Sequence, residues 1–234
     1  MKYSEKKKKV TTVGEAIVAV THDYHEFLFI PEELRSFAVC LIAVEQDGGM
    51  LAYVPSSLKT RELCLAAVQK RGTALSYVPE KLKTEELCFL AVQHDEQSPE
   101  LGECALEYVP EKHMTWELCL VAVRHWGMAL ICVPEKYKTP ELCFTAVQQC
   151  CYALEFVPEK HKTRELCLAA VQQGGYVFEH VPDEVLTTEF CLAVVQRNSE
   201  ALKYVPRELK TPEFFRRVAT QNSESTLNYP FDEN

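Results

Sequence analysis

Apolar positions recur along the chain in a fixed figure. Leu63, Cys64, Ala67 and Val68 stand at i, i+1, i+4 and i+5, a spacing that lays one apolar stripe along a helix of about ten residues. Thr60 ahead of the stripe reads as an N-cap, and at Thr139-Pro140 and Thr211-Pro212 a proline occupies the first helical position, for which its fixed φ is already set. A glutamate two places after the threonine (Glu62, Glu86, Glu117, Glu141, Glu165, Glu189, Glu213) complements the positive end of the helix dipole. Gly72, Gly127 and Gly174 fall where the helix ends and predict left-handed C-caps. A second apolar pair follows (Ala74 and Leu75, Ala129 and Leu130, Ala153 and Leu154), then an aromatic residue and Val-Pro. Proline drives its predecessor out of the α region, so the second helix is short and ends near the valine. The next segment, PEKLK in one copy, predicts a further turn, α or 3₁₀, that leads to the next threonine.

The figure is a tandem repeat. Pro31, Pro55, Pro79, Pro110, Pro134, Pro158, Pro182, Pro206 and Pro230 stand 24 residues apart, except for the step of 31 from Pro79 to Pro110, which holds a seven-residue insertion near 94–103. Nine units fit, beginning near 12, 36, 60, 84, 115, 139, 163, 187 and 211 and following a basic arm over 1–11. No unit of this length buries its apolar face alone, so units must stack. The sequence predicts an all-α fold, an α-solenoid of nine stacked 24-residue helical-hairpin repeats forming a single domain over 12–234.

Segments such as LAAVQKRGTALSYVPEKLKT and LCLAAVQQGGYVFEHVPDEVLT resemble a bacterial family of short tandem helical repeats classed as a domain of unknown function, found among other places in secreted effectors. The resemblance covers about residues 36–210 and rests on the A-V-Q, A-L-x-Y and L-K-T pattern; Val-Pro before the acidic turn departs from it. It implies a helical repeat fold and brings no activity. For an exported member it implies work in a host cytosol.

Charge narrows the function classes. The formal charge is 25 − 34 = −9, and because Lys2, Lys6, Lys7, Lys8 and Lys9 crowd the first ten residues against Glu5, the remaining 224 carry −13. An acidic body repels phosphate, which argues against nucleic acid as partner. Nothing approaches a membrane-spanning apolar run, and the stretch after the lysines contains Glu15 and predicts no signal peptide. No EF-hand, P-loop, GxSxG or HExxH pattern is present, and no cofactor or metal is expected.

Seven of the eleven cysteines form a column (Cys40, Cys64, Cys88, Cys119, Cys143, Cys167, Cys191). Stacked helices sit about 8–10 Å apart, beyond disulfide reach and too far for thiolates to converge on one zinc ion. The column is expected to be buried packing in a reducing compartment, the cytoplasm. His113 and His161 stand six residues before a column cysteine, but their equivalents Leu82, Tyr137, Val185 and Leu209 mark a semi-buried turn position, so no catalytic pair is expected. Cys150 and Cys151 are expected in a loop as exposed thiols. The lysines at 59, 83, 138, 162 and 210 are expected to pair with the helix-start glutamates along the stack.

Variation concentrates in the loop after the A-V-Q helix and in the residue after the threonine, and both are expected on one rim of the solenoid. Trp, Tyr and Arg dominate interface hot spots, which selects Arg71, Trp116, Arg124, His125, Trp126, Tyr152 and Tyr176 as partner-binding candidates. The inserted His94–Glu100 stretch is expected to bulge from the same rim. These features predict a non-enzymatic scaffold that binds another protein, of basic character. The rivals are a modular nucleic-acid-binding repeat protein, which needs a basic face and recurring readout pairs, and an enzyme acting through Cys150 or Cys151.

Overall fold

The computed structural model describes residues 10–95 and 104–221. Among the described residues there is no strand, and α-helices recur at the repeat period: α1 (Val13–His22), α2 (Phe37–Gln46), α3 (Arg61–Lys70), α4 (Glu85–Gln93), α5 (Trp116–His125), α6 (Pro140–Gln149), α7 (Arg164–Gln173), α8 (Thr188–Arg197) and α9 (Pro212–Gln221). The predicted N-caps are in place. The Thr60 and Thr84 hydroxyls accept the Leu63 and Leu87 amides at 3.3 Å, and Thr115, Thr139, Thr163, Thr187 and Thr211 do the same three residues ahead. Each such cap stabilises its helix by about 1 kcal/mol.

The predicted second helix is present throughout as a 3₁₀ helix, as at Gly72–Tyr77, Gly127–Cys132 and Cys151–Phe156, which end just before Val-Pro. A single 3₁₀ turn then follows the proline, as at Glu80–Leu82 and Glu159–His161. A described repeat is thus typically one α-helix and two 3₁₀ segments, with a plain turn in place of the second 3₁₀ segment after Pro182, and the hairpin partner of the α-helix is not an α-helix. The chain divides into two compact units, Met1–Ala122 and Val123–Asn234, and each is an all-α repeat solenoid.

The core of each unit is the predicted stripe. Leu63, Cys64, Ala67 and Val68 are fully buried, as are Leu142, Cys143, Ala146 and Val147, and each leucine contributes about 2 kcal/mol of burial. The left-handed C-caps predicted at the glycines do not occur. The residue after most of the α-helices is extended instead, with Arg71 at φ −151° and ψ 117° and Gly174 itself at φ −154° and ψ 113°; His94 after α4, at the base of the insertion, departs from this at φ −101° and ψ 22°. Gly72 and Gly127 open 3₁₀ helices, and their missing Cβ serves packing. A Cβ on Gly48, Gly72 or Gly127 would overlap the carbonyl oxygen of Ala67, Ala91 or Ala146 in the α-helix of the following repeat.

Hydrogen bonds between repeats complete the stack. Arg35 Nη1 donates to the Tyr53 carbonyl at 2.8 Å, Lys59 Nζ to that of Tyr77 at 3.1 Å and Lys83 Nζ to that of Tyr108 at 3.2 Å, always into the next repeat. Lys83, Lys138 and Lys162 also pair with Glu80, Glu135 and Glu159 of their own turns at 2.6, 2.8 and 2.7 Å. The column lysines therefore bond these turn glutamates and backbone carbonyls, and the helix-start glutamates expected as their partners lie elsewhere. In the other direction Gln46 and Gln173 donate back to the carbonyls of Val20 and Val147 at 2.8 and 3.0 Å.

Candidate functional site

The variable loop is a junction where an extended residue links the α-helix to the 3₁₀ helix. In several repeats the side chain of that residue caps the 3₁₀ helix. Asp23 accepts the His25 amide and Asp47 the Gly49 amide, both at 2.9 Å, and Asn198 accepts the Glu200 amide at 3.1 Å. Asp95 does the same across the base of the insertion, accepting the Ala105 amide at 2.8 Å. At Arg71, Trp126 and Cys150 no side-chain capping bond forms, so local structure does not specify the residue there.

The structure places the sequence candidates unequally. Arg124 and His125 are exposed at the end of α5, Trp126 is half-buried at the adjoining junction, and Tyr152 stands 47% exposed at the junction of the next repeat. These four belong to Val123–Asn234. Arg71 is exposed but engaged within the other unit, its Nη2 lying 3.3 Å from Asp47 Oδ1 of the preceding junction. Trp116 opens α5, half-buried, at the helix start. The expectation of a shared rim fails on geometry: Arg61 opens α3 and Arg71 follows its last residue, so the two variable positions of a repeat are separated by the helix length, about 15 Å. The Tyr176 side chain lies outside the described residues, as do 96–103 of the insertion.

The cysteine column is buried, and burial pushes the thiols of Cys40, Cys64, Cys88, Cys119, Cys143, Cys167 and Cys191 up to about 11. At neutral pH such a thiol holds its proton and is a poor nucleophile. Cys151, expected as an exposed thiol, is buried because it takes the inward place that Gly72 and Gly127 hold in their repeats; Cys150 beside it is half-buried. His113 and His161 end single 3₁₀ turns and are half-buried, as their equivalents are. Among the described residues no group of three or more His, Cys, Asp or Glu is placed to hold a metal ion, and no helix is long and apolar enough to cross a membrane.

Two features are not anticipated by the sequence. After three of the column cysteines the next residue faces outward, leaving Leu65, Phe89 and Phe144 between 37% and 39% exposed, whereas Leu192 after Cys191 is buried. The other is a cavity of about 520 Å³ lined by Phe178, Val181, Asp183, Leu186, Tyr204 and Pro206, with Glu179. Its signal was legible as a break in a column, since Leu186 stands where Lys138, Lys162 and Lys210 stand in neighbouring repeats.

No curated protein and no solved structure matches the chain. Residues 38–83 and 139–186, a stretch of about two repeats in each compact unit, match the family described as a domain of unknown function, DUF4116, a description that assigns no activity.

Proposed function

We propose that this protein is a non-enzymatic scaffold whose repeat junctions bind another protein of basic character. One observation carries the reading: where other repeats use Asp or Asn to cap the 3₁₀ helix, the junction at the end of α5 presents Trp126 after the exposed Arg124 and His125, and the next presents Tyr152. Forgoing a cap costs about 1 kcal/mol, and a half-buried tryptophan is a frequent binding anchor. The formal charge of −9 favours a basic partner, through faster encounter more than through raw affinity. A reducing compartment, the cytoplasm or a host cytosol, suits eleven unbridged thiols.

The test is affinity capture from nuclease-treated lysate with wild type and the Trp126→Ala/Tyr152→Ala double variant, both shown helical by circular dichroism. A protein recovered by wild type alone, and released by raised salt, supports the scaffold. Identical recovery by both removes the junctions from the reading. Recovery that vanishes only on nuclease treatment favours nucleic acid instead.

A further inference from the structure

The turn after each Val-Pro has a regular internal ligand. The residue four places after the proline is cationic in most repeats, and its head group bridges repeats: Arg35, Lys59 and Lys83 donate to the carbonyl eighteen positions ahead, or twenty-five where the insertion intervenes. Lys83 and Lys162 are only 8% exposed, with the alkyl stem packed against the turn and the ammonium on the glutamate that follows the proline. The fold has thus built, several times over, a receptor for an aliphatic chain ending in an ammonium ion.

At Pro182 the receptor remains and its cation is missing. Leu186 replaces the lysine, Asp183 stands where Glu80, Glu135 and Glu159 stand, and Tyr204 is eighteen positions beyond Leu186, as Tyr77 is beyond Lys59. The turn itself is altered, the Leu186 amide reaching back to the Pro182 carbonyl at 3.0 Å as well as to that of Asp183 at 3.2 Å. At this place lies the cavity of about 520 Å³. Phe178 and Val181, each 6% exposed, form its apolar wall, while the exposed Asp183 and Glu179 supply carboxylates. Lys203 is engaged over the Tyr204 ring, 4.8 Å from its centre. The other interruption of the column is closed: Met114 is 8% exposed and its sulfur lies 3.7 Å from the Cys119 thiol.

We infer that the cavity at Leu186 receives a lysine side chain from the partner protein, whose stem lies on Phe178, Val181 and Leu186 and whose ammonium bonds the Asp183 carboxylate and the Tyr204 carbonyl. A carbonyl oxygen has two lone pairs and takes such a donor alongside any other. The acidic body draws in a basic segment, and the cavity selects within it a cationic side chain over an apolar one; lysine is the occupant at most of the sister sites, Lys59, Lys83, Lys138, Lys162 and Lys210 against Arg35 alone. This inference rests on the scaffold reading and names the chemistry that reading requires of its partner.

The experiment is an NMR titration of isotope-labelled full-length protein with N-acetyl-lysine amide, alongside N-acetyl-norleucine amide and the ε-acetylated lysine amide. The lysine probe is expected to shift the amides of Phe178, Val181, Leu186 and Tyr204, the two uncharged probes at least tenfold more weakly. Leu186→Lys supplies the missing cation from within, as Lys162 does one repeat earlier. It should retain the melting temperature and bind the probe at least tenfold more weakly, while Asp183→Asn weakens binding several-fold. Equal binding of norleucine amide, unchanged binding in both variants, or no shift at these residues overturns the assignment. Improved binding in the Lys6→Gln/Lys7→Gln/Lys8→Gln/Lys9→Gln variant assigns the cavity to the chain's own lysine run and overturns the partner as occupant. A partner captured equally by wild type and Leu186→Lys overturns the cavity's role and leaves the scaffold reading standing.

Discussion

Leu142 and Trp126 belong to one compact unit, and opposite forces govern them. Leu142 lies on the buried stripe, where the sister positions from α2 onward are Val39, Leu63, Leu87, Leu118, Leu166, Phe190 and Phe214, apolar and buried in every case because each must fill space between stacked helices. Trp126 lies at a junction where the sister positions are Asp47, Arg71, Cys150, Gly174 and Asn198. The backbone there keeps nearly the same extended geometry whatever the residue: φ is −140° at Asp47, −151° at Arg71 and −144° at Trp126. Stacking fixes the backbone at the junction and leaves the side chain open to other selection. A repeat protein can therefore change what it binds without changing how it folds.

The sharpest way to break the comparison is to damage both sides and measure stability. Leu142→Ala, a fully buried truncation, should cost about 3 kcal/mol in urea unfolding. Gly127→Ala, one residue from Trp126, should cost about 2 kcal/mol, because the new methyl meets the Ala146 carbonyl oxygen and the 3₁₀ helix must move away from α6. A melting temperature unchanged by Gly127→Ala would show that the junction backbone is free as well, and the contrast with Trp126 would collapse.

That glycine also marks where the sequence was misleading. Repeat period, N-caps, buried stripe and the break before each proline were all legible, because each is set by residues close together in the chain. The role of Gly72 and Gly127 was not, since the carbonyl that excludes a Cβ comes from the following repeat, 19 positions on in both cases. The lysine column was visible in the sequence and its partners were misassigned for the same reason. Charge favours the helix-start glutamates, whereas geometry offers the nearer glutamate of the turn and a backbone carbonyl. The junction candidates were legible as a list of residue types, but the length of the α-helix that parts Arg61 from Arg71 becomes decisive only in three dimensions.

The buried column makes a further prediction through pH. Burial raises the Cys143 thiol from its ordinary 9.0 to about 11, so between those values the unfolded chain has lost the proton that the folded chain keeps. Stability supplied by the neutral thiol is complete below pH 9 and declines as pH rises through 11, by an amount on the order of 1 kcal/mol per thiol. Unfolding midpoints from pH 8 to 11 should fall less steeply in Cys143→Ala than in wild type. Parallel slopes would mean that the thiol is no more buried than in the unfolded chain. The half-buried Cys150 provides a contrast in access: in the folded protein iodoacetamide should reach it ahead of the buried column thiols, and Cys150→Ala should remove that labelling.

The smallest expected effect on stability belongs to the residues on which the function rests. Trp126→Ala and Tyr152→Ala remove side chains from positions whose backbone is held by stacking, and each should cost about 1 kcal/mol or less. Trp126→Asp adds a finer test. Aspartate is what Asp47 places at the equivalent junction, where it accepts the Gly49 amide at 2.9 Å, so the substitution should recover about 1 kcal/mol through the Met128 amide relative to Trp126→Ala. A junction kept for binding predicts that Trp126→Asp folds at least as well as wild type and captures no partner. If it destabilises the protein by more than Trp126→Ala does, the tryptophan is a packing residue, and the junction is as constrained as the stripe beneath it.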